Sequence, residues 1–237
     1  MSEGSLNIEH LDWDSHFFGF GVGRIYVQDY DIDKIGSAVN LAFGSGDELI
    51  YLIIPQEIDK RSIYGSQFVD NKVVFEKIID PSGKTEDIIK TYESSTVSQE
   101  LYDLAYESGK FSRFNTDKNL PAGSFEKLYG LWIENSVNKK IADKVFICEL
   151  EGRILGMVTL KIENDKGVIG LIASTPESQG KGVGSKLLSH CENYLLSSGI
   201  NKIEVATQGE NSGACNFYKK NGYGISGSLN YYHLWNK

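Results

Sequence analysis

A glycine-rich segment between an apolar stretch and an amphipathic stretch constrains the fold of this chain more than any other feature. It reads Gln179-Gly180-Lys181-Gly182-Val183-Gly184. Residues 168–173 before it read as a strand, and the apolar residues after it recur with a helical period of 3.6. The first turn of a helix has unpaired N–H groups and partial positive charge, and glycine lets the backbone approach an oxyanion. The segment therefore predicts a strand–loop–helix unit that holds a pyrophosphate.

The order of residues in this loop separates three kinds of pyrophosphate-binding loop. A P-loop needs Ser or Thr after Gly-Lys, whereas Lys181 is followed by Gly182. A dinucleotide-binding fingerprint needs a third glycine where this chain has Ser185. The pattern Q-x-x-G-x-G, from Gln179 through Gly182 to Gly184, resembles the pyrophosphate loop of the GNAT acetyltransferases, which hold acetyl-CoA. On this motif alone, a flexible strand-to-helix loop is the alternative.

A second stretch resembles another GNAT signature, N-x-x-A-x-x-x-Y-x-x-x-G-[FY]. It runs from Asn211 through Tyr218 to Gly222, after an apolar strand at 202–207. Asn211 is expected to cap a short helix that ends at Gly222. The resemblance implies that Asn211 contacts the cofactor and that Tyr218 lies near its sulfur, where it can protonate the departing thiolate. A core tyrosine with its hydroxyl at the surface is the alternative for Tyr218.

The same resemblance implies the remaining cofactor contacts. The end of the strand before the loop would pair its backbone with the pantetheine arm, and a free N–H of Leu171 or Ile172 would stabilise the oxyanion. The implied catalytic residue is Tyr218, and the implied cofactor-binding residues are Leu171, Ile172, Ala173, Gln179, Gly180, Lys181, Gly182, Val183, Gly184, Asn211 and Tyr218. The co-substrate is expected to be acetyl-CoA. No metal is expected, because the four histidines and three cysteines show no ligand spacing.

Further strings narrow the resemblance to the TDP-fucosamine acetyltransferase family, which acetylates the 4-amino group of a nucleotide-linked amino sugar. They are Leu11-Asp12-Trp13-Asp14-Ser15-His16-Phe17-Phe18-Gly19, Ser112-Arg113-Phe114, Trp132-Ile133-Glu134-Asn135-Ser136-Val137 and Val205-Ala206-Thr207-Gln208. The resemblance covers nearly the whole chain. It departs in the fuller glycine-rich loop, which favours cofactor binding, and in the tail at 231–235, which bears on the acceptor pocket.

The acceptor-binding residues follow less directly from the sequence. Arg113 could clamp a nucleotide-sugar pyrophosphate, because a guanidinium binds phosphate oxygens bidentately; a surface arginine after a helix is the alternative. Asn135 shares a helix face with Trp132 and is a candidate sugar contact, with Trp132 expected to pack in the core. Tyr231 is a third candidate, on a strand whose alternate residues face opposite sides. Asp14 or Ser15 is expected to cap a turn, and no residue is identified as the general base.

The order of apolar patterns predicts an α/β chain with two domains. Residues 1–82 read as a small α/β domain that contributes to acceptor binding, with a turn at Phe17-Phe18-Gly19 and a linker at Pro81-Ser82-Gly83-Lys84. Residues 83–237 read as a GNAT domain that binds acetyl-CoA, with a mixed central sheet, flanking helices and a final hairpin that ends in Leu234-Trp235. In this domain, helices are expected at 98–108 and 125–137, and a hairpin turn at Glu151-Gly152.

Composition limits the location and the partners. Hydrophobic residues make up 41% of the chain and charged residues 24%, as in an ordered globular protein. The net charge of -8 argues against nucleic acid or an anionic membrane as the main partner. With no apolar run of membrane-spanning length and no signal-peptide pattern after Met1, a cytoplasmic protein is expected. Cys148 and Cys191 are predicted to be core residues. A homodimer is possible, and the sequence does not decide the oligomeric state.

The sequence supports one leading function and two alternatives. The leading one is an N-acetyltransferase that acts on a small-molecule acceptor, a TDP-linked 4-amino-4,6-dideoxy sugar, by direct transfer from acetyl-CoA. A protein of the same fold could acetylate another small amine or a protein N-terminus. A non-catalytic module that binds acyl-CoA is the third, and the presence of Tyr218 argues against it. The sugar isomer, the nucleotide and the pathway are not given by the sequence.

Overall fold

The computed structural model describes residues 6–29, 31–59, 65–80 and 88–236. The strands in these ranges are β1 (Ile8–His10), β2 (Gly21–Tyr26), β3 (Asp47–Pro55), β4 (Ser66–Ile78), β5 (Ile89–Thr91), β6 (Lys144–Leu150), β7 (Arg153–Glu163), β8 (Lys166–Ser174), β9 (Lys202–Gln208) and β10 (Gly224–Trp235). The helices are α1 (Asp12–Phe18), α2 (Ile32–Gly44), α3 (Gln99–Gly109), α4 (Arg113–Thr116), α5 (Ser124–Val137), α6 (Val183–Ser197) and α7 (Ser212–Lys220). No helix in these ranges is long and apolar enough to cross a membrane.

The chain divides into two compact units, and the division differs from the predicted boundary at residue 82. The first unit contains residues 1–73, 208–210 and 227–237, and the second contains 74–207 and 211–226. The C-terminal strand therefore belongs with the N-terminal residues, a long-range pairing that a scan for linkers does not detect. The predicted linker, Pro81 to Lys84, lies outside the described residues.

The first unit is a helix packed on a sheet with strand order β1-β2-β3-β10-β4. Strand β2 runs parallel to β3, whereas β10 runs antiparallel to β3 and places Tyr232 opposite Leu52. One face of the sheet packs on α2, whose N-terminus is capped by Asp31. The core on that face contains Ile25, Val27, Ile35, Ala38, Val39, Ala42, Ile50, Leu52, Ile54, Tyr232 and Leu234.

Two predictions for local structure in this unit are wrong. The expected turn at Phe17-Phe18-Gly19 is the end of a helix, because acidic residues Asp12 and Asp14 occupy the first turn of α1 and Gly19 ends it at φ 82°. The expected final hairpin is one strand of 12 residues, β10, which pairs with β3 over residues 229–235. A partner strand far away in the sequence replaces the local pairing that a hairpin would need.

The second unit has the strand order β4-β9-β8-β7-β6-β5. Strands β5 to β8 are antiparallel neighbours, and β8 and β9 are parallel, with α6 as their crossover connection. The helix α6 approaches the sheet closely at Gly156, where a Cβ atom would come within 2.7 Å of Val183. Thr159 lies three residues after Gly156 on β7, so it faces the opposite side of the sheet. It lines a pocket beside α5, and α6 and α5 therefore cover opposite faces of the sheet.

Most predicted elements of this unit are present. Helices α3 and α5 agree with the predicted spans to within one residue at each end, and Glu151 and Gly152 form the predicted hairpin turn at φ 52° and 76°. Cys148 and Cys191 are buried, as expected. The short helix α4 was not predicted, because its four residues are too few for a periodic pattern; Ser112 caps it and Arg113 is its first residue.

Candidate functional site

The glycine loop, residues 179–184, leaves the start of α6 open to an anion. Gly180 and Gly182 adopt left-handed φ angles of 75° and 85°, which favour glycine. Gly182 is the N-cap of α6, and no side chain caps this helix. The Lys186 N–H donates to the Gly182 carbonyl at 3.1 Å, so the N–H groups of residues 183–185 precede the first helical hydrogen bond. Three N–H groups at the positive end of the helix dipole suit a phosphate.

The side chains of the loop offer fewer groups for binding an anion than its backbone does. The Gln179 Nε2 donates to Glu107 Oε1 on α3 at 3.1 Å, and Glu107 also pairs with Lys110 at 3.3 Å. Lys181 is exposed, whereas Val183 is buried at the start of α6. A Cβ atom on Gly184 would come within 3.0 Å of the Phe217 ring, so this glycine lets α6 pack against α7. Gln179 thus tethers the loop to α3.

Strands β8 and β9 separate beside this loop. Their parallel register covers only Gly167 to Ile169 of β8, opposite Ile203 to Val205. Beyond it, Gly170 in β8 and Ala206 in β9 are exposed although both lie within strands. We call the part of β8 from Gly170 to Ser174 the open edge. The predicted pantetheine-binding residues 171–173 all lie on it.

The backbone of the open edge presents alternate N–H groups to the gap. The Thr175 N–H donates to the Leu155 carbonyl, so Thr175 and, two residues earlier, Ala173 direct their hydrogen bonds toward β7. The N–H of Ile172 therefore points away from β7. The N–H of Leu171 donates to the Thr159 hydroxyl at 2.8 Å. Of the two predicted oxyanion donors, Leu171 has an intramolecular partner and Ile172 faces the gap.

Tyr218 lies on α7 in an aromatic surround. Asn211 caps the helix, because its Oδ1 accepts the Ala214 N–H at 3.0 Å. The Tyr218 ring lies 5.4 Å from Phe75, 5.3 Å from Phe217 and 5.9 Å from Tyr223 between centroids. The side chain is 3% exposed, and within the described ranges its hydroxyl has no hydrogen bond.

The environment of Tyr218 keeps its phenol protonated. Burial, with a smaller effect from nearby Cys215, raises the pKa of Tyr218 above the ordinary value for tyrosine. A neutral phenol without an internal partner can donate its proton to a base that forms beside it.

A partly buried ionic cluster that the sequence did not predict lies next to Tyr218. Lys77 Nζ on β4 donates to both carboxylate oxygens of Glu192 on α6, at 2.9 and 2.8 Å. The Tyr223 hydroxyl donates to Glu192 at 3.0 Å, and burial together with this carboxylate raises the pKa of Tyr223. The cluster joins α6 to the residue after Gly222 and so fixes the end of the Tyr218 helix. No sequence signal could have found it, because its members lie in three separate parts of the chain.

A pocket of about 150 Å³ lies on the α5 side of the open edge. Its walls are Trp132, Ser136, Ile141, Ala142, Thr159, Lys161, Glu163, Val168, Gly170 and Leu171. Trp132 and Ser136 are one helical turn apart on α5. Asn135 is not among the pocket walls. Trp132 faces the pocket together with Ser136 and not, as predicted, together with Asn135.

The other two acceptor candidates lie elsewhere. Arg113, half-buried at the start of α4, stacks over the ring of Phe114 at 4.3 Å, and Phe114 packs edge-on against Trp132. Tyr231 is buried in the first unit on β10, opposite Ile53, and faces away from the α2 core that contains Tyr232. Arg113 is thus one aromatic ring away from the pocket tryptophan, and Tyr231 belongs to the other unit.

The first unit has a polar cluster of its own. His10 Nδ1 lies 2.7 Å from Asp47 Oδ1, and His10 Nε2 lies 3.3 Å from Ser15 Oγ. The Ser15 hydroxyl also accepts the Val22 N–H at 2.9 Å. Ser15 therefore bonds to the following strand instead of capping a turn, and Asp14 accepts a hydrogen bond from Tyr51 at 3.3 Å. The cluster ties α1 to β1, β2 and the start of β3.

Comparison with known proteins agrees with the strand–loop–helix geometry of the second unit. Residues 99–223 match the family described as "Acetyltransferase (GNAT) family". The spore coat polysaccharide biosynthesis protein SpsD of Bacillus subtilis is 23% identical over 58% of this chain and 47% of its own length. The chain spans about half the length of this curated relative.

Solved structures share the fold at low identity. A conserved protein of unknown function from Staphylococcus epidermidis superposes with a TM-score of 0.66 at 12% identity, covering 100% of this chain and 94% of its own. A GCN5-related N-acetyltransferase from Sphaerobacter thermophilus superposes with a TM-score of 0.62 at 14% identity, covering 97% and 76%. Because the family match covers more than half of the sequence and includes the glycine loop, the open edge and Tyr218, the chain belongs to the acetyltransferase (GNAT) family.

Proposed function

We propose that this protein transfers the acetyl group of acetyl-CoA to the 4-amino group of a TDP-linked 4-amino-4,6-dideoxy sugar. The observation that carries the acetyl-CoA part is the glycine loop beside the open edge. Three first-turn N–H groups of α6 lack a side-chain cap, and the adjoining edge of β8 is unpaired by β9 beyond Ile169. A pyrophosphate fits the first feature, and an extended amide-bearing arm fits the second.

Acetyl-CoA supplies an activated acetyl thioester, and the residues of the second unit supply its orientation and the proton. The first-turn N–H groups of α6 would hold the pyrophosphate, with the exposed Lys181 adding positive charge. Ile172 would donate its N–H to the carbonyl oxygen on which negative charge develops. Tyr218 would protonate the departing thiolate, because its phenol carries a proton and donates no internal hydrogen bond among the described residues. Asn211, whose Oδ1 caps α7, would offer its Nδ2 group to the cofactor.

The acceptor part of the proposal rests on the strings that resemble the TDP-fucosamine acetyltransferase family and on the polysaccharide-biosynthesis relative. The pocket on the α5 side of the open edge is suited to a deoxy sugar. Trp132, Ile141 and Leu171 give it apolar walls for a methyl group. Glu163 and Lys161 add one charge of each sign to the lining, and the amine would attack as the neutral base after it loses its proton to water. Arg113 would bind the diphosphate, and residues 1–82 would contribute to acceptor binding.

The test is a thiol-release assay with acetyl-CoA and a panel of amines. TDP-linked 4-amino-4,6-dideoxyhexoses are compared with the same sugars without the nucleotide, with other small amines and with N-terminal peptides. We expect turnover with a TDP-linked sugar and little with the free sugar, because the nucleotide provides binding energy remote from the reacting amine. A reaction mixture without protein is the control for uncatalysed release.

Two outcomes would overturn parts of the proposal. Equal kcat/KM for the nucleotide-linked and free sugars would remove the nucleotide sugar and favour a general small-amine acetyltransferase. No thiol release above the protein-free background with any amine, from a protein that binds acetyl-CoA, would indicate a non-catalytic acyl-CoA-binding module.

A further inference from the structure

Thr159, in the middle of β7, bonds to the open edge through its side chain. The residue is 2% exposed, and its hydroxyl accepts the Leu171 N–H at 2.8 Å. The strands β7 and β8 are out of regular register at this point: Val158 lies opposite Ile172 and Leu160 opposite Ile169. Two residues of β8, Gly170 and Leu171, therefore face the single residue Thr159, which is the arrangement of a β-bulge.

The bulge decides the direction of the Ile172 N–H. If the register at Leu160 continued without the bulge, Ile172 would lie opposite Met157. The residue opposite Met157 directs its N–H toward β7, so the Ile172 N–H would then be used in the ladder. The extra residue shifts Ile172 opposite Val158, and a shift of one residue reverses the direction of every following group. The Ile172 N–H then points into the gap between β8 and β9.

The Thr159 hydroxyl supports this register. The bulge takes the Leu171 N–H out of the regular ladder, and a buried N–H without an acceptor is costly. The Thr159 hydroxyl, on the strand opposite the bulge, accepts this N–H. Gly170 leaves room for it, because a Cβ atom on Gly170 would come within 2.9 Å of Thr159 Oγ1.

We propose that Thr159 is a positioning residue for acetyl transfer, whose hydroxyl holds the β8 bulge and so aims the Ile172 N–H at the thioester carbonyl oxygen. The inference rests on the proposed function in one respect, since it requires that Ile172 acts on the thioester. It is independent of the identity of the acceptor.

The test compares four variants of the full chain with the wild type. Thr159→Val keeps the side-chain shape and removes the hydroxyl that accepts the Leu171 hydrogen bond, and Thr159→Ser keeps that hydroxyl. Gly170→Ala displaces the hydroxyl. Val145→Ala is the control for general weakening, because Val145 lies opposite Thr159 on β6 and is buried. Each protein is assayed for thiol release with a TDP-linked 4-amino-4,6-dideoxyhexose and with water alone as acceptor, and each is melted.

We expect Thr159→Val to lower kcat about 10²-fold, the typical effect of losing one oxyanion donor, with the KM for acetyl-CoA changed by less than about threefold. Thr159→Ser should restore kcat to within about fivefold of the wild type, and Gly170→Ala should resemble Thr159→Val. Val145→Ala should lower the melting temperature and leave kcat within about threefold of the wild type.

The inference is overturned if Thr159→Val retains wild-type kcat, or if Thr159→Ser is as impaired as Thr159→Val. Should Thr159→Val fail to fold, Gly170→Ala and Thr159→Ser decide between the same outcomes, because Gly170 is exposed and serine is smaller. A wild-type protein that releases no thiol with the TDP-linked sugar would refute only the sugar acceptor, and the four variants would then be compared with the amine of the panel that is turned over. A wild-type protein that releases no thiol with any amine or with water would refute acetyl transfer by this chain, and the role of Thr159 with it.

Discussion

The two units each hold a group of side chains of the kinds used in acyl-transfer chemistry, but they differ in how those groups are bonded. In the first unit, Ser15, His10 and Asp47 follow one another in the order of a nucleophile, a base and an acid. The Ser15 hydroxyl, however, already accepts the backbone N–H of Val22. In the second unit, Tyr218 is buried among aromatic rings, and no hydrogen bond to its hydroxyl is found within the described ranges.

The difference shows that residue types alone do not identify a reactive site. A polar group that has its partners inside the fold stabilises the fold, and using it on a ligand would first break those bonds. A buried or helix-terminal group without an internal partner costs stability and is ready for a ligand. By this criterion Ser15 anchors α1, and we propose the start of α6 and Tyr218 as the working site.

The largest expected effect tests the unbonded hydroxyl. Tyr218→Phe keeps the ring packing and removes only the proton donor, so kcat should fall about 10²–10⁴-fold while acetyl-CoA affinity barely changes. Steady-state kinetics with thiol detection, combined with calorimetric titration of acetyl-CoA, measures both. The matched control is Tyr223→Phe, which removes a hydroxyl that is bonded to Glu192. It should lower the melting temperature and leave kcat within about fivefold of the wild type.

Tyr218→Phe with a kcat close to that of the wild type, under conditions where chemistry limits the rate, would refute the general-acid role. A water molecule would then become the candidate donor. An equal loss in both phenylalanine variants would show that the comparison of bonded and unbonded hydroxyls fails.

The next largest effect tests the uncapped start of α6. Gly182→Asp places a side chain and a negative charge where an anion is expected, and should weaken acetyl-CoA binding on the order of 10- to 100-fold. Gly199→Asp is the matched control at the other end of the same helix. Gly199 is also exposed, has φ 76° against 85° for Gly182, and likewise has open space around a Cβ atom.

Both aspartates adopt the same strained backbone conformation, so a change that is common to both variants measures strain alone. Titration of acetyl-CoA into each folded protein separates strain from ligand repulsion. If Gly182→Asp binds acetyl-CoA as the wild type does, the assignment of the loop to the pyrophosphate is wrong.

The smallest effect is expected in the first unit. Ser15→Ala removes the acceptor of the Val22 N–H and should lower the free energy of unfolding by about 1–3 kcal/mol, with no change in acetyl-CoA affinity. Denaturant unfolding measures the first quantity and titration the second. Labelling of wild-type Ser15 by a fluorophosphonate, or ester hydrolysis that Ser15→Ala abolishes, would show a working nucleophile and reverse our reading of this cluster.

The sequence by itself determined the elements whose signals are local. Three features depend only on residues close together in the sequence: the periodicity after Gly184, the caps Asn211 and Gly222, and the apolar strand before the loop. The structure has α6, α7 and β8, respectively, at these places. The family resemblance was also readable there, because the GNAT signatures are short and contiguous. The roles of individual site residues stay predictions.

Only the tertiary structure decided features that join distant parts of the chain. The pairing of β10 with β3, the ionic cluster of Lys77, Glu192 and Tyr223, and the bond from Thr159 to Leu171 each involve residues on separate elements. Sequence patterns report the preferences of neighbouring residues, whereas these contacts depend on strand register and on which buried donors remain unpaired. That is why the loop could be predicted from the sequence, whereas only the fold shows that the Leu171 N–H is bonded to Thr159 and that the Ile172 N–H faces the gap.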